Sequence, residues 1–235
     1  MMLIAACLIG FGIYLSDPHT ADAEAQERIS HPSQGVAVNN AEENITFVPE
    51  GNIKAGIVYY PGMKIRGGAY SLMADALAGE GYLCVLINMP LNMSVLNSDA
   101  ALSITKQWPD VKDWYIGGHS MGGQSAQKCV LDHPGVFKGL ITVARQLDYD
   151  FSDNETPILG IYGSHDQICT AEDTENDASN TNEACYTEVM IEGGTHGYFG
   201  NYGIQQWDGE PGITREEQMK QTVDAILSFL EHCGN

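Results

Sequence analysis

The stretch Val111–Gly123, VKDWYIGGHSMGG, decides how the rest of the chain is read. An apolar and aromatic run, Trp114-Tyr115-Ile116, passes through Gly117 and Gly118 into His119-Ser120-Met121. Gly122 and Gly123 then open a segment with a helical pattern to about Asp132. The order predicts a strand, a sharp turn and a helix, with Ser120 on the turn. Gly118 two positions before the serine and Gly122 two after it give the G-x-S-x-G spacing of a nucleophile elbow. Such a turn is too tight for β-carbons beside the nucleophile and holds the serine backbone under strain. A plain Gly/Ser loop meets the same spacing, but the strand before, the helix after and the extra Gly123 favour the elbow.

On either side of this stretch, residues 53–60 (IKAGIVYY), 82–88 (YLCVLIN), 136–143, 157–162 (PILGIY) and 186–191 (YTEVMI) read as further strands. Helical spacing covers 69–78, about 98–107 and 216–230, the last with Met219, Val223, Ile226, Leu227 and Leu230 as its apolar stripe. Thr214 and Glu217 have the spacing of a capping box at its start. Short β-prone pieces at 36–38 and 45–48 suggest a hairpin or edge pair, and a short helix fits 21–28. Alternating apolar strands and helices predict an α/β fold of three layers. Its central sheet has about six core strands, mostly parallel, with helices on both faces. Active groups in such sheets gather beyond the carboxyl ends of the strands.

A serine nucleophile needs a base, and the base needs a carboxylate to orient it. Asp166 follows the strand at 157–162 in GSHDQ, and His196 follows the strand at 186–191 in EGGTHG. The chain order Ser120, Asp166, His196 is the serine–acid–histidine order of α/β-hydrolases. Singly, Asp166 is an ordinary turn aspartate and His196 an ordinary histidine; three such residues at three strand ends make a candidate triad. His119 and His165, beside Ser120 and Asp166 in the chain, do not lie on the loop after the last strand and are set aside as the base. The oxyanion donors expected are the backbone N–H groups of Met121 and Met63, with Gly62 or Lys64 as a one-residue alternative to Met63. Arg145 and Gln146, after the strand at 136–143, either face an acidic acyl group or form a surface ion pair. Tyr198, Phe199, Tyr202 and Trp207 either wall an apolar pocket or pack the last helix on the sheet.

Length and composition bound the rest. At 235 residues the chain suits one domain, taken as 35–235, after an apolar leader at 1–15 and a polar connector at 16–34. Thirty-one acidic side chains against 11 basic ones give a formal charge of −20, which argues against nucleic acid or an anionic membrane as partner. The uncharged leader MMLIAACLIGFGIYL is short for a bilayer span and lacks a basic start. A truncated signal or anchor, an unusual export signal and a buried first element all fit it, the first best. Among six cysteines, Cys169 and Cys185 bracket an acidic Asn/Thr-rich segment that a disulfide would close in an exported protein. No pair has zinc-type spacing, and no metal or organic cofactor is expected.

The GHSMGG elbow, the YYPGMK turn, the GYLCVLINMP strand and the EGGTHGYFGNYG segment together resemble the α/β-hydrolase fold-5 family, small serine hydrolases near the dienelactone-hydrolase branch. The resemblance runs over nearly the whole chain and implies acyl transfer from small or medium carboxylic esters or lactones to water. It also implies a bacterial exported or membrane-tethered protein, since Tyr14-Leu15-Ser16-Asp17 matches a Tyr-x-x-Asp segment after the anchor helix. Met63 departs from the usual Pro-Gly-Gly turn, and Gly197-Tyr198 departs from the small residue that usually follows the histidine. An acyltransferase or peptidase with the same triad, or an inactive surface-tethered binding module, are the alternatives. Oligomeric state is not legible.

Overall fold

The computed structural model describes residues 17–175, 177–182 and 185–234. The apolar leader and the start of the Tyr-x-x-Asp segment lie outside them. Among the described residues no helix is long and apolar enough to cross a membrane.

Eight strands form one sheet: β1 (Val36–Asn40), β2 (Asn44–Pro49), β3 (Ala55–Tyr60), β4 (Tyr82–Ile87), β5 (Trp114–His119), β6 (Gly139–Val143), β7 (Ile158–Gly163) and β8 (Tyr186–Ile191). Their spatial order is β1-β2-β4-β3-β5-β6-β7-β8. The six strands from β3 to β8 run parallel to their neighbours, whereas β1 pairs with β2, and β2 with β4, antiparallel. The expectation of about six core strands is therefore corrected to eight. The two β-prone pieces expected as a hairpin or edge pair do pair with each other, and they extend the main sheet at its β4 edge.

The helices are α1 (Ala23–Ser30), α2 (Ser71–Gly79), α3 (Ala100–Gln107), α4 (Met121–Asp132), α5 (Ala171–Thr174) and α6 (Arg215–Cys233). Strand periodicity sorts the core into two halves. Ile57 and Tyr59 point to the side covered by Met73 and Leu77 of α2 and by Val223 and Ile226 of α6. Val58 and Tyr60 point to the side covered by Ala101 and Ile104 of α3 and by Ala126 and Val130 of α4. Because both faces are covered, β3 to β7 are buried at every position, which is why they read as continuous apolar runs. The cap of α6 is a full capping box between Thr214 and Glu217. Strand β6 starts at Gly139, later than the 136 expected, because the chain leaving α4 first turns through Gly135 at φ 79°.

The stretch before β1, expected as a polar connector, is folded onto the domain. His19 N–H donates to the Lys64 carbonyl at 2.6 Å, and Asp22 N–H to the Asn201 carbonyl at 2.9 Å. The buried Asp75 of α2 accepts from Arg28 at 3.0 Å and from the Ser33 amide at 2.9 Å. Cys169 and Cys185 are free thiols, so the suggested disulfide is absent. Cys169 Sγ faces Gln146 Oε1, while Cys185 Sγ faces the Glu155 carbonyl.

Candidate active site

Between β5 and α4, Ser120 is the single turning residue, at φ 53° and ψ −122°. This conformation is sparsely populated for a residue with a β-carbon and costs of order 1–3 kcal/mol. The flanking glycines answer to close approach. A β-carbon on Gly118 would overlap the Gly122 backbone, and one on Gly122 would overlap the carbonyl oxygens of Tyr60 and Pro61. The serine is thus lifted off the end of β5 while the helix start tucks beneath the end of β3. Met121, as the first residue of α4, carries one of the amides that has no carbonyl partner within the helix.

Ladder bonds carry three loops to one edge of the sheet. Ser120 N–H donates to Val143, Ala144 N–H to Ile161 and Ser164 N–H to Ile191, at 2.9, 2.8 and 3.0 Å. Beyond that edge Asp166 Oδ2 lies 2.8 Å from His196 Nδ1. Asp166 Oδ1 accepts from the amides of Ile168 and Cys169 at 2.7 and 2.8 Å, which fixes the carboxylate plane. Burial, and then the nearby Asp166 charge, push the Cys169 thiol up to about 12, so it stands as a neutral wall.

Two residues outside the motifs hold the histidine loop. Asp208 accepts from the amides of His196 and Gly197 at 3.1 and 2.7 Å. Gln218, fully buried on α6, accepts from Thr195 N–H at 2.9 Å and donates to the Thr195 carbonyl at 2.8 Å. Asp208 lies in an aperiodic polar loop that gives no local signal. Gln218 adjoins the apolar stripe of α6, and a polar residue there is the only hint the chain offered. Gly197 is also explained: a β-carbon there would come within 2.9 Å of Gln205 Cβ, in the segment that folds back with Asp208.

The two other histidines face elsewhere. His165 Nδ1 bonds the Glu210 carbonyl at 2.9 Å on the exposed side. His119 is completely buried, with Nδ1 2.9 Å from Tyr70 Oη. In the turn after β3, Gly62 N–H donates to Tyr70 Oη at 3.1 Å and Lys64 N–H to the Asn92 carbonyl at 2.8 Å. The amides on either side of Met63 are therefore engaged, and Met63 itself is 43% exposed.

The residues named for a pocket separate. Arg145 is ion-paired to Asp148, with Nε to Oδ2 at 2.7 Å, and so does not stand free toward an acidic acyl group. Gln146 accepts from Gln127 at its carbonyl at 2.9 Å. Phe199 and Tyr202 are buried in the core shared with α2 and α6. Tyr198 lies under the Arg215 guanidinium at 4.8 Å. Trp207 is 87% exposed at φ 70°. Among the described residues no group of three or more His, Cys, Asp or Glu side chains is gathered to hold a metal ion.

A family model described as alpha/beta hydrolase family matches residues 56–220, from β3 into α6. The chain belongs to that family. No curated protein has a matching sequence. Among solved structures, TT1662 from Thermus thermophilus is similar at 14% identity, with 85% of this chain and 98% of that one covered and a TM-score of 0.62. Est1E from Butyrivibrio proteoclasticus with ferulic acid bound matches at 14% identity, 84% and 97% coverage and a TM-score of 0.61. A hydrolase described as CIB-like from Thermoplasma acidophilum matches at 17% identity, 82% and 99% coverage and a TM-score of 0.60. At these identities the likeness speaks for the fold.

Proposed function

We propose that this alpha/beta hydrolase is a serine esterase that cleaves carboxylic esters or lactones through an acyl-enzyme. The observation that carries the proposal is the buried Asp166–His196 pair, together with an elbow serine in a strained backbone at the same edge of the sheet. With Nδ1 held by Asp166, His196 Nε2 is the nitrogen available to take the Ser120 proton as Oγ attacks the ester carbonyl. Asp166 fixes the tautomer and stabilises the imidazolium that forms. The Met121 and Met63 amides receive the developing oxyanion, and the helix start at Met121 adds its dipole to the same charge. His196 then protonates the leaving alcohol, and water repeats the sequence on the acyl-enzyme.

The rim of the site bears on the substrate class. Met63, Leu91, Leu96, Ile168 and Trp207 are large, exposed and apolar, and each lies in a loop or short 3-10 turn that follows a strand at the triad's edge of the sheet. That setting suits an ester with apolar acyl or alcohol groups, in keeping with the aromatic acid bound to Est1E. With Arg145 paired to Asp148, an acidic acyl group has less to bind it. The apolar leader at 1–15 supports an exported or surface-tethered location.

The test is a panel of p-nitrophenyl esters of rising chain length with a simple lactone, together with fluorophosphonate labelling. Turnover of an ester and labelling at Ser120 are expected. Correctly folded protein that neither turns over any ester nor takes the label would refute the proposal.

A further inference from the structure

One buried ring touches all three parts of the proposed site, and the mechanism above leaves it without a task. His119 precedes the nucleophile, and its ring centroid lies 4.5 Å from that of His196, tilted by 50°. On the other side, a β-carbon on Gly62 would come within 3.0 Å of His119 Nδ1, so the turn after β3 rests directly on the ring. Tyr70, from the short helical turn that leads into α2, reaches into the same space and is completely buried.

The hydrogen-bond roles follow from the donors. The Gly62 amide can only donate, so Tyr70 Oη accepts there at 3.1 Å. The tyrosine hydroxyl then donates to its other neighbour, His119 Nδ1, at 2.9 Å. Nδ1 must be bare, which places the ring proton on Nε2. Nε2 has no hydrogen-bond partner among the described residues. Burial first, and the neighbouring His196 second, hold His119 well below the usual histidine range, so the ring is neutral.

We propose that Tyr70 and His119 are positioning residues that fix the turn at 61–64, the serine elbow and the His196 loop in one geometry. Their effect falls on the acylation transition state and not on substrate binding. The inference rests on the esterase reading. Oxyanion donors act only within about 2.7–3.1 Å of the developing charge. The Tyr70 bond to Gly62 and the Asn92 bond to Lys64 clamp the two peptides beside Met63, and so aim its amide. A histidine serves at 119 because the position needs a flat ring with an acceptor at Nδ1 and no charge. A cation 4.5 Å from His196 would oppose the imidazolium formed during catalysis.

The test compares Tyr70→Phe, His119→Asn and His119→Leu with wild type and Ser120→Ala, reading kcat, KM, fluorophosphonate inactivation rate and melting temperature. Tyr70→Phe removes one oxygen and is expected to lower kcat by about 10- to 100-fold with KM within about threefold. Inactivation should slow in parallel, because phosphonylation also builds charge in the oxyanion hole. His119→Asn keeps an acceptor near the Nδ1 position and should retain at least about fivefold more kcat than His119→Leu. Folded variants with unchanged kcat, a loss carried by KM alone, or an asparagine variant no better than leucine would overturn the inference. Retained turnover in Ser120→Ala would instead overturn the esterase reading, which keeps the two failures separate.

Discussion

Asp166 Oδ2 lies 2.8 Å from His196 Nδ1, with the aspartate side chain 0% and the histidine side chain 4% exposed. Two amides hold the other carboxylate oxygen, so the aspartate has no freedom to turn away. Asp166→Asn should keep this packing while offering an amide where Nδ1–H needs an acceptor. We expect kcat to fall by about 10⁴ and KM to change little, as steady-state kinetics with a p-nitrophenyl ester will show.

Ser120 combines the reactive oxygen with a backbone that only glycine adopts freely. Ser120→Ala and Ser120→Gly should both lose at least about a thousandfold in turnover. The glycine variant should be the more stable of the two by about 1 kcal/mol, because it releases strain that alanine keeps. Denaturant melts of the two variants side by side measure the difference, and equal midpoints would mean the turn is not strained.

Gly122→Ala places a β-carbon on the Tyr60 and Pro61 carbonyls, where backbone cannot yield cheaply. It should destabilise the protein by about 1–3 kcal/mol and reduce activity, since α4 must shift away from β3. Gly79→Ala, at the end of α2 with nothing within 4 Å, is the control and should be neutral or slightly stabilising. Thermal melts distinguish the two.

Cys169 and Cys185 are free, so reduction with dithiothreitol should leave the melting temperature unchanged. Cys169, pushed up to about 12, should resist iodoacetamide at pH 8 in the folded state and react on unfolding. Cys129 is pushed up to about 12 as well, by burial first and then the Asp99 charge. In the unfolded chain both thiols ionise near 8.5, so above that pH the unfolded state binds fewer protons than the folded one. Stability from these two groups is full below about pH 8 and declines as pH rises toward 12. Melting temperatures across pH 7–11 will show whether the slope has that sign.

Much of this fold was legible because its signals are local. Strands β3 to β7 are buried on both faces, so they had to be apolar without a break, and α6 carries both its stripe and its capping box. The eight-strand count was less clear, since β1 and β2 are partly exposed and join the sheet only through the pairing of β2 with β4. At the site, the elbow spacing and the serine, aspartate and histidine order pointed to strand ends that parallel pairing brings to one edge. Gln218 left only the hint of a polar residue beside an apolar stripe, and the roles of Asp208, Tyr70 and His119 had no local sign. Their side chains act on backbone or rings that lie elsewhere in the chain, and no spacing records a contact of that kind.

Where the chain turns, which faces are apolar, and that Gly118, Ser120 and Gly122 stand at the end of β5 are all legible in the order of residues. These follow from sterics and periodicity within a few residues. That Arg145 is spent on Asp148, that the Cys169 and Cys185 thiols have different partners, and that His119 is a neutral buried ring between Tyr70 and His196 come from packing in three dimensions. Each of those outcomes depends on which groups compete for one partner in three dimensions, and that competition exists only once the sheet has formed.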